Sequence, residues 1–293
     1  MSRSDAGGTS ACVDSPDIFD RAARRLQRDR AAAAYRNADF LRAFMLDGIA
    51  DRLSSVSRNF ESVLDLGCFD GGFVAPLGAR VARVDAGFAF AAAAGGVQAD
   101  EDRLPFADGA FDLVVSAGVL DSVGDLPGAL TLARRVLRPD GLFLAAFAGA
   151  GSLGTLRRVL QEAEGDRPAA RIHPQVDVRS AGDLLMRAGF ALPVTDTETL
   201  TVRYASLFSL LRDLRAMGAA NVMPGRVPLR RDVLARAAAL FAERADADGR
   251  TSETFEVITM TGWAPSPSQP QPARRGSGTT SLAQALQLPP EKS

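Results

Sequence analysis

The stretch Glu61–Phe73 constrains the fold of this chain more than any other. Ser62–Leu66 is a short apolar run of the kind that forms a buried strand, and Gly67 and Gly71 then mark a tight turn. We expect a helix to begin at Phe73, which gives a strand, a glycine loop and a helix. In an open α/β sheet this order places a ligand at the carboxyl end of the first strand, where small residues let the backbone approach it.

Two acids limit the kind of ligand that this loop would bind. Asp65 precedes the first glycine, where a carboxylate disfavours a pyrophosphate and suits a positive or ammonium group. Asp85 ends the next apolar segment, where a carboxylate can accept hydrogen bonds from both hydroxyls of a ribose. The dinucleotide fingerprint is not met, because Phe69 stands where its second glycine should be. The alternative is a buried strand with a tight turn and no ligand.

Strands and helices alternate along the first half of the chain. Phe111–Ser116 is an apolar run of the type buried in a parallel sheet, and Leu142–Phe147 predicts the next strand after an intervening helix. A third strand predicted at Val97–Ala99 precedes Asp100 and Glu101. An acid there can accept a hydrogen bond from an adenine amino group, and the alternative is a polar loop with incidental acids. The alternation predicts a doubly wound α/β domain.

The domain is expected to span residues 16–264. Residues 1–15 are rich in Gly, Ser, Thr and Asp and predict a disordered N-terminus, whereas the Pro-, Ser-, Gln- and Gly-rich residues 265–293 predict a flexible tail. Helical additions are expected over residues 16–53 and 206–245. In the second half the pattern predicts helices at Leu153–Glu164, Ser180–Ala188, Leu207–Met217 and Arg231–Ala245, and strands at Phe190–Val194, Thr199–Tyr204 and Phe255–Thr261.

The first helical pattern begins near Pro16 and carries an arginine run. Its predicted apolar positions are Ile18, Phe19, Ala22 and Leu26, and its arginines are Arg21, Arg24, Arg25 and Arg28. We interpret the arginines as a solvated face of the helix. The alternative is a surface that binds a partner.

The scarcity of some residue types excludes several kinds of chemistry. The only histidine is His173, so a site with several histidine ligands, whether for iron or for zinc, is not predicted. The only lysine, Lys292, lies in the tail, which disfavours a Schiff base. A hydrogen-bonding, structural role is the default for His173, with a substrate contact as the alternative. The chemistry is therefore expected to come from a bound cofactor.

Charge and cysteine content indicate the setting. The formal net charge of −1 implies no general attraction to nucleic acid or to an anionic membrane, and no apolar stretch is long enough to span a bilayer. Cys12 and Cys68 do not make a disulfide framework, which favours a reducing compartment. The N-terminus has no apolar signal region, which argues against secretion.

Taken together, these motifs resemble the class I S-adenosylmethionine-dependent methyltransferases. The segments that carry the resemblance are Val63–Gly71, Asp85, Asp100–Phe106, Phe111–Ser116, Asp125–Pro127, Arg187–Phe190 and Pro272–Ser277. The chain is more closely similar to bacterial relatives of the mitochondrial complex I assembly methyltransferase-like protein, whose mitochondrial form is a protein arginine hydroxylase. It is also similar to the malonyl-carrier-protein methyltransferases of biotin synthesis. The resemblance implies a Rossmann-like, mostly parallel seven-stranded sheet with N-terminal helices and a helical insert.

The resemblance also implies S-adenosylmethionine as the cofactor and a set of residues to bind it. Asp65, Gly67 and Gly71 would line its methionine part, Asp85 would hold the ribose and Asp100 the adenine. Glu101 and Ser116 complete the predicted site. No metal is implied, and no catalytic residue is identified. Phe69, and Asp121-Ser122 in place of the expected His-Trp, depart from the family pattern.

The main prediction is a methyltransferase that acts on a protein or small-molecule acceptor. Methyl transfer is an in-line attack that needs mainly proximity and orientation, which suits a chain without an obvious nucleophile. One alternative is a complex I assembly factor that hydroxylates a subunit arginine. Another is a non-catalytic scaffold that grips a partner through the arginine-rich N-terminal helices and residues 199–245. The expected partner is a complex I subunit or another protein acceptor, without nucleic acid or a membrane span, in a bacterial cytoplasm or, in a eukaryote, the mitochondrial matrix.

Overall fold

A computed structural model describes residues 17–166 and 168–269 of the 293-residue chain. The expectations for residues 1–15 and for most of the tail lie outside these residues. The helices are α1 (Arg21–Ala32), α2 (Phe40–Ser54), α3 (Phe88–Ala93), α4 (Leu126–Val136), α5 (Gly154–Glu164), α6 (Val178–Arg187), α7 (Leu207–Ala216) and α8 (Arg231–Ala242). The strands are β1 (Ser62–Leu66), β2 (Arg80–Asp85), β3 (Val97–Gln98), β4 (Phe111–Ala117), β5 (Leu137–Ala148), β6 (Ala191–Tyr204) and β7 (Thr251–Trp263).

The strands form one seven-stranded sheet in the order β3-β2-β1-β4-β5-β7-β6. The first five are parallel, and β7 runs antiparallel to both β5 and β6. Leu66, at the end of β1, pairs with Val84 in β2 and with Ser116 in β4, so these strands end together at one edge of the sheet. The prediction of a doubly wound, mostly parallel seven-stranded sheet is confirmed.

Helices cover both faces of the sheet, which explains why β1 and β4 are buried along their whole length. On one face, Val63 and Val115 belong to the same apolar cluster as Met45 and Ile49 of α2. On the other face, the core continues into α4 and α6. A third cluster joins α5, α7 and α8 to β6 and β7. Within residues 17–166 and 168–269, no helix combines the length and the apolar character needed to cross a membrane.

The connection from β1 to β2 differs from the prediction. The helix expected from Phe73 is absent, and residues 72–79 run without regular structure. Pro76 and Gly78 fall inside this short connection, and both residue types disfavour a helix interior. Val74 and Leu77 are consequently exposed. The glycine loop therefore lacks the helix N-terminus that sequence analysis placed behind it.

The bounds of two strands, β5 and β6, differ from the prediction. The strands predicted at Phe190–Val194 and Thr199–Tyr204 are one strand, β6, whose pairing with β7 shifts register between Ala191 and Val194. The strand predicted from Leu142 begins earlier, at Leu137, so residues 138–141 lie within β5, where Asp140 has a φ of +64° and the pairing with β4 also shifts. A bulge absorbs a turn-forming residue without ending the strand. This accounts for the start of β5, whereas residues 195–198, between the two predicted segments of β6, pair regularly with β7.

A candidate cofactor site closed by the first helix

The glycine loop is tied over the ends of two strands. The backbone N–H groups of Gly67 and Cys68 donate to the carbonyl oxygen of Val84, at 2.8 and 2.9 Å. Gly67 has a φ of +79°, and a Cβ atom there would lie 2.4 Å from a methyl carbon of Val119. Gly71 has a φ of +82° and closes the turn. Both predicted loop glycines are thus required by backbone geometry and close packing.

Phe69 fills the inside of this loop. It has a φ of +49°, a left-handed conformation that costs a non-glycine residue roughly 1 kcal/mol. Its ring stacks on Tyr35 with centroids 4.8 Å apart and meets Phe90 edge-on at 5.2 Å. The side chain is 3% exposed. Packing holds the strained conformation, and the ring occupies space that the usual glycine leaves free.

Asp85, the predicted ribose acid, has no free hydrogen-bonding capacity. Its carboxylate accepts from Nε and Nη2 of Arg28 at 2.7 and 2.5 Å. It also accepts from the backbone N–H groups of Phe69 and Gly87 at 3.0 and 2.8 Å. Four bonds saturate a carboxylate. Burial favours the protonated form of Asp85, but Arg28 and the two N–H groups outweigh it and lower the pKa of this carboxyl.

The acids that follow β3 are occupied in the same way. Asp100, Glu101 and the adjacent Asp102 each face an arginine of α1. The pairs are Arg25–Asp100 (2.6 Å), Arg24–Glu101 (2.6 and 2.9 Å) and Arg21–Asp102 (2.5 and 2.6 Å). Arg21, Arg24, Arg25 and Arg28 recur at spacings of three and four residues, so they share one face of α1. We call these three pairs, together with Arg28–Asp85, the arginine ladder.

The prediction of a solvated arginine face is therefore wrong. Arg24 and Arg28 are 6% and 3% exposed, whereas Ile18 and Leu26, which were predicted to face the core, are 55% and 48% exposed. The cause is the cluster of carboxylates at the ends of β2 and β3, because buried charges need partners. Sequence reasoning missed these arginines as part of the site, although their spacing and the four acids were both visible.

Asp65, the predicted partner of the methionine group, retains a free oxygen. Its side chain is fully buried, and its Oδ1 lies 3.5 Å from Nη2 of Arg42. Its Oδ2 has no hydrogen-bond partner among the described residues. Burial raises the pKa of Asp65 to about 6, although Arg42 and Arg83 oppose the shift. A buried, unpaired carboxylate oxygen beside the glycine loop can accept a hydrogen bond from an ammonium group.

Ser116 does not join Asp65. Its Oγ is also buried and unpaired within the described ranges. However, Ser116 pairs with Leu66 whereas Asp65 pairs with Val115, so the two side chains point to opposite faces of the sheet. The structure therefore separates two residues that sequence analysis assigned to one site.

An apolar cavity of about 270 Å³ adjoins the loop. Tyr35, Phe69 and Gly118 line its side nearest the loop, and the remaining wall is formed by residues of α2, α5 and α7 and by the loops around them. Asp121 is the only acid in the lining. Burial raises the pKa of Asp121 to about 6, with Arg24 and Arg28 opposing the shift. This carboxyl group changes its charge near pH 6 in a cavity whose lining also includes Arg42, Arg171 and Arg215.

His173 is a structural hydrogen-bond acceptor. Its Nε2 accepts from the backbone N–H of Val222 at 2.9 Å, and its ring packs on Phe19 at 4.8 Å. Burial lowers the pKa of His173 to about 4, so the ring is neutral. In the part of the chain that the structure describes, no group of three or more His, Cys, Asp or Glu residues is placed to hold a metal ion.

These residues fit S-adenosylmethionine in their chemistry but are partly engaged. Asp65 offers a free oxygen for the ammonium group of the methionine part. Asp85 and Asp100 are the types of group that bind ribose hydroxyls and an adenine amine, yet Arg28 and Arg25 hold them. The site is thus chemically suited to the cofactor and closed to its nucleoside half by α1.

Comparison with known proteins identifies the family. A family profile described as "Methyltransferase domain" matches residues 64–145, which include the glycine loop and the acids of the site. The chain is 36% identical to the mitochondrial arginine-hydroxylase NDUFAF5 of Danio rerio over 91% of this chain and 89% of that protein. It is 32% identical to the malonyl-[acyl-carrier protein] O-methyltransferase of Laribacter hongkongensis over 84% of this chain and 90% of that protein. The chain belongs to the class I methyltransferase superfamily.

Solved structures agree with this fold. The YcgJ protein of Bacillus subtilis matches with a TM-score of 0.53 at 16% identity, over 76% of this chain and 99% of that one. A Haemonchus contortus phosphoethanolamine N-methyltransferase 2 in complex with S-adenosylhomocysteine matches with a TM-score of 0.51 at 14% identity, over 86% of this chain and 61% of that one. The sequence-based prediction of a methyltransferase is confirmed in its domain and fold.

Proposed function

We propose that this chain is an S-adenosylmethionine-dependent methyltransferase that binds its cofactor at the carboxyl edge of β1, β2 and β4. The observation that carries the proposal is the unpaired, buried Oδ2 of Asp65 next to the glycine loop. Asp65 would hold the methionine ammonium, Asp85 the ribose and Asp100 the adenine. The bound cofactor supplies a methyl group on a sulfonium centre.

The cavity beside the loop is the proposed acceptor site. Its walls are mainly apolar, and its contact with Phe69 and Gly118 places it against the loop that would hold the cofactor. Asp121 would accept the proton that an acceptor group loses on methylation, because its raised pKa makes it a competent base near neutral pH. The acceptor is therefore a molecule, or part of one, with an apolar body.

Equilibrium binding of S-adenosylmethionine tests the cofactor assignment. Calorimetric titration of the full chain, up to millimolar cofactor, is compared with that of Asp65→Asn. The substitution keeps the shape and removes the negative charge, so the loss of a charged hydrogen bond should weaken binding about tenfold or more. Asp183→Asn, an exposed acid on α6, is the matched control and should bind as the wild type does. Equal affinities of Asp65→Asn and wild type would refute the role of Asp65.

A second candidate is a non-catalytic methyltransferase scaffold. It is favoured by one observation, the saturation of Asp85 by Arg28 and two backbone N–H groups, which leaves no acceptor for a ribose. Absence of S-adenosylmethionine binding, in a chain whose α1 has been loosened, would favour this candidate.

Arginine hydroxylation stays a proposal that rests on the names of relatives such as the Danio rerio protein. A protein acceptor, including a complex I subunit, rests on the resemblance in the same way. Mass spectrometry of an arginine peptide after incubation with the protein distinguishes the two chemistries, because hydroxylation adds an oxygen and methylation adds a methylene.

A further inference from the structure

We infer that α1 and the nucleoside half of S-adenosylmethionine compete for the same carboxylates, so that α1 is a plug that must leave before the cofactor can bind. This inference rests on the proposed function. It goes further by assigning the chain's own N-terminal helix as the competitor. The juxtaposition that carries it is the arginine ladder, which occupies the acids at the ends of β2 and β3.

Contacts outside the arginine ladder also position α1 against the sheet. A Cβ atom at Gly87 would lie 2.8 Å from the Cβ of Arg28, so the turn after β2 needs a glycine to accept the helix. Asp29 accepts from the backbone N–H of Ala89 at 2.9 Å and thereby links α1 to the first turn of α3. Two independent contacts thus match α1 to this edge of the sheet.

The first turn of α1 is also held in place, by contacts of Asp20 that we call the latch. Asp20 caps the helix by accepting from Ala23 N at 2.9 Å, and its own backbone N–H donates to Val222 O at 2.8 Å. Arg226 lies 3.5 Å from the Asp20 carboxylate. The latch can be loosened without any change to the ladder.

The way in which α1 is held makes it suited to release. Its buried residues are Arg24, Arg28 and Ala31, so it contributes charges to the interior and little apolar surface. The attraction within a buried ion pair is largely offset by the desolvation of both charges. When α1 leaves, the arginines regain water, and the cofactor's hydroxyl and amino groups replace them on Asp85 and Asp100. The closed and open states therefore differ by much less free energy than four ion pairs suggest.

Binding measurements with a loosened latch test the competition. Asp20→Ala removes the cap and leaves all four arginines and all four acids unchanged, and loss of a cap should tighten S-adenosylmethionine binding about fivefold. Arg25→Ala removes the nearer of the two arginines that pair with Asp100, leaving Arg21 at 3.6 Å, and should also tighten binding. Arg30→Ala is the control, because Arg30 is exposed on the same helix and has no ion pair among the described residues. It should bind as the wild type does.

Limited trypsin digestion of the wild type gives a readout that does not depend on any variant. Trypsin cleaves after arginine, and seated α1 shields Arg24 and Arg28. Saturating S-adenosylmethionine should therefore speed cleavage within α1, whereas cleavage at the exposed Arg231 of α8 should stay unchanged. Mass spectrometry measures both cleavages.

The outcomes separate the two proposals. Tighter binding by Asp20→Ala with faster cleavage of α1 supports the plug, and so does binding that appears only in the variant. Cofactor binding that is equal in wild type, Asp20→Ala and Arg25→Ala, with α1 still protected, overturns the plug and leaves the proposed function standing. Absence of binding in all three proteins overturns both.

Discussion

Arg28→Ala should be among the most destabilising single changes in this protein. Its guanidinium makes two short bonds to Asp85 and lies 4.1 Å from the centroid of the Phe69 ring. Breaking a buried pair by removing one partner costs about 3–5 kcal/mol, and a desolvated cation–π contact adds about 1. Asp85 keeps its bonds to two backbone N–H groups, so we expect the lower part of this range, about 3–4 kcal/mol. In a protein of this size that corresponds to a Tm about 10 °C lower.

Urea denaturation, followed by circular dichroism, measures the loss as a change in midpoint at constant m-value. The pKa of Asp85 is lowered in the folded state, so its pairing stabilises the protein above pH 4 and this contribution is lost as the pH falls through the folded pKa. The deficit of Arg28→Ala should therefore shrink in acid. The double variant Arg28→Ala/Asp85→Ala should lose less than the sum of the single variants. A deficit below about 1 kcal/mol, unchanged by pH, would refute a buried pair, and Arg30→Ala should stay within about 0.5 kcal/mol of wild type.

Three further predictions follow from the site. Burial raises the pKa of Asp65 from 3.8 to about 6, so the folded state binds the proton more tightly than the unfolded state does. The free energy of unfolding should therefore fall by about 3 kcal/mol as the pH rises from 4 to 6. The Asp65→Asn variant should lack this pH dependence. Gly67→Ala should destabilise the protein more than Gly78→Ala, since both have positive φ but only the first meets a side chain at 2.4 Å, and thermal melts compare them. Leu211→Trp, in the cavity lining, should reduce the fluorescence enhancement of 1-anilinonaphthalene-8-sulfonate, whereas Phe208→Trp on the exposed side of α7 should not.

The sheet could be predicted because its signals are local. The apolar runs of β1 and β4 are buried on both faces, so their composition alone indicates central parallel strands. The start of α4 is also marked locally, because the carboxylate of Asp125 caps the helix by accepting from the backbone N–H of Gly128 at 2.8 Å. The helix expected at Phe73 is absent for a local reason too, since Pro76 and Gly78 disfavour a helix there.

The site was predicted residue by residue but not as an arrangement. Each acid stands where the strand pattern placed it, because the ends of parallel strands meet at one edge. What occupies those acids comes from a helix more than fifty residues away along the chain, such as Arg28 on Asp85. No periodicity within α1 reveals this, because an arginine face toward solvent and one toward carboxylates have the same spacing. Asp65 and Ser116, both predicted for the site, point to opposite faces of the sheet because one residue of register decides the face.

The inward-facing arginines of α1 raise the question of why the chain has both the arginines and the acids of the arginine ladder. If the acids served only to bind α1, apolar residues on both sides would hold the helix equally well, because replacing buried ion pairs by apolar groups is often neutral or stabilising. If they served only the cofactor, α1 would need no arginines that match them. Both the acids and the arginines are explained if the carboxylates must stay charged to bind the ligand. Because a buried charge needs a partner, α1 then supplies one whenever the ligand is not bound. The arginines of α1 then pair with the carboxylates in place of the ligand, and Arg24 and Arg28 neutralise the buried Glu101 and Asp85.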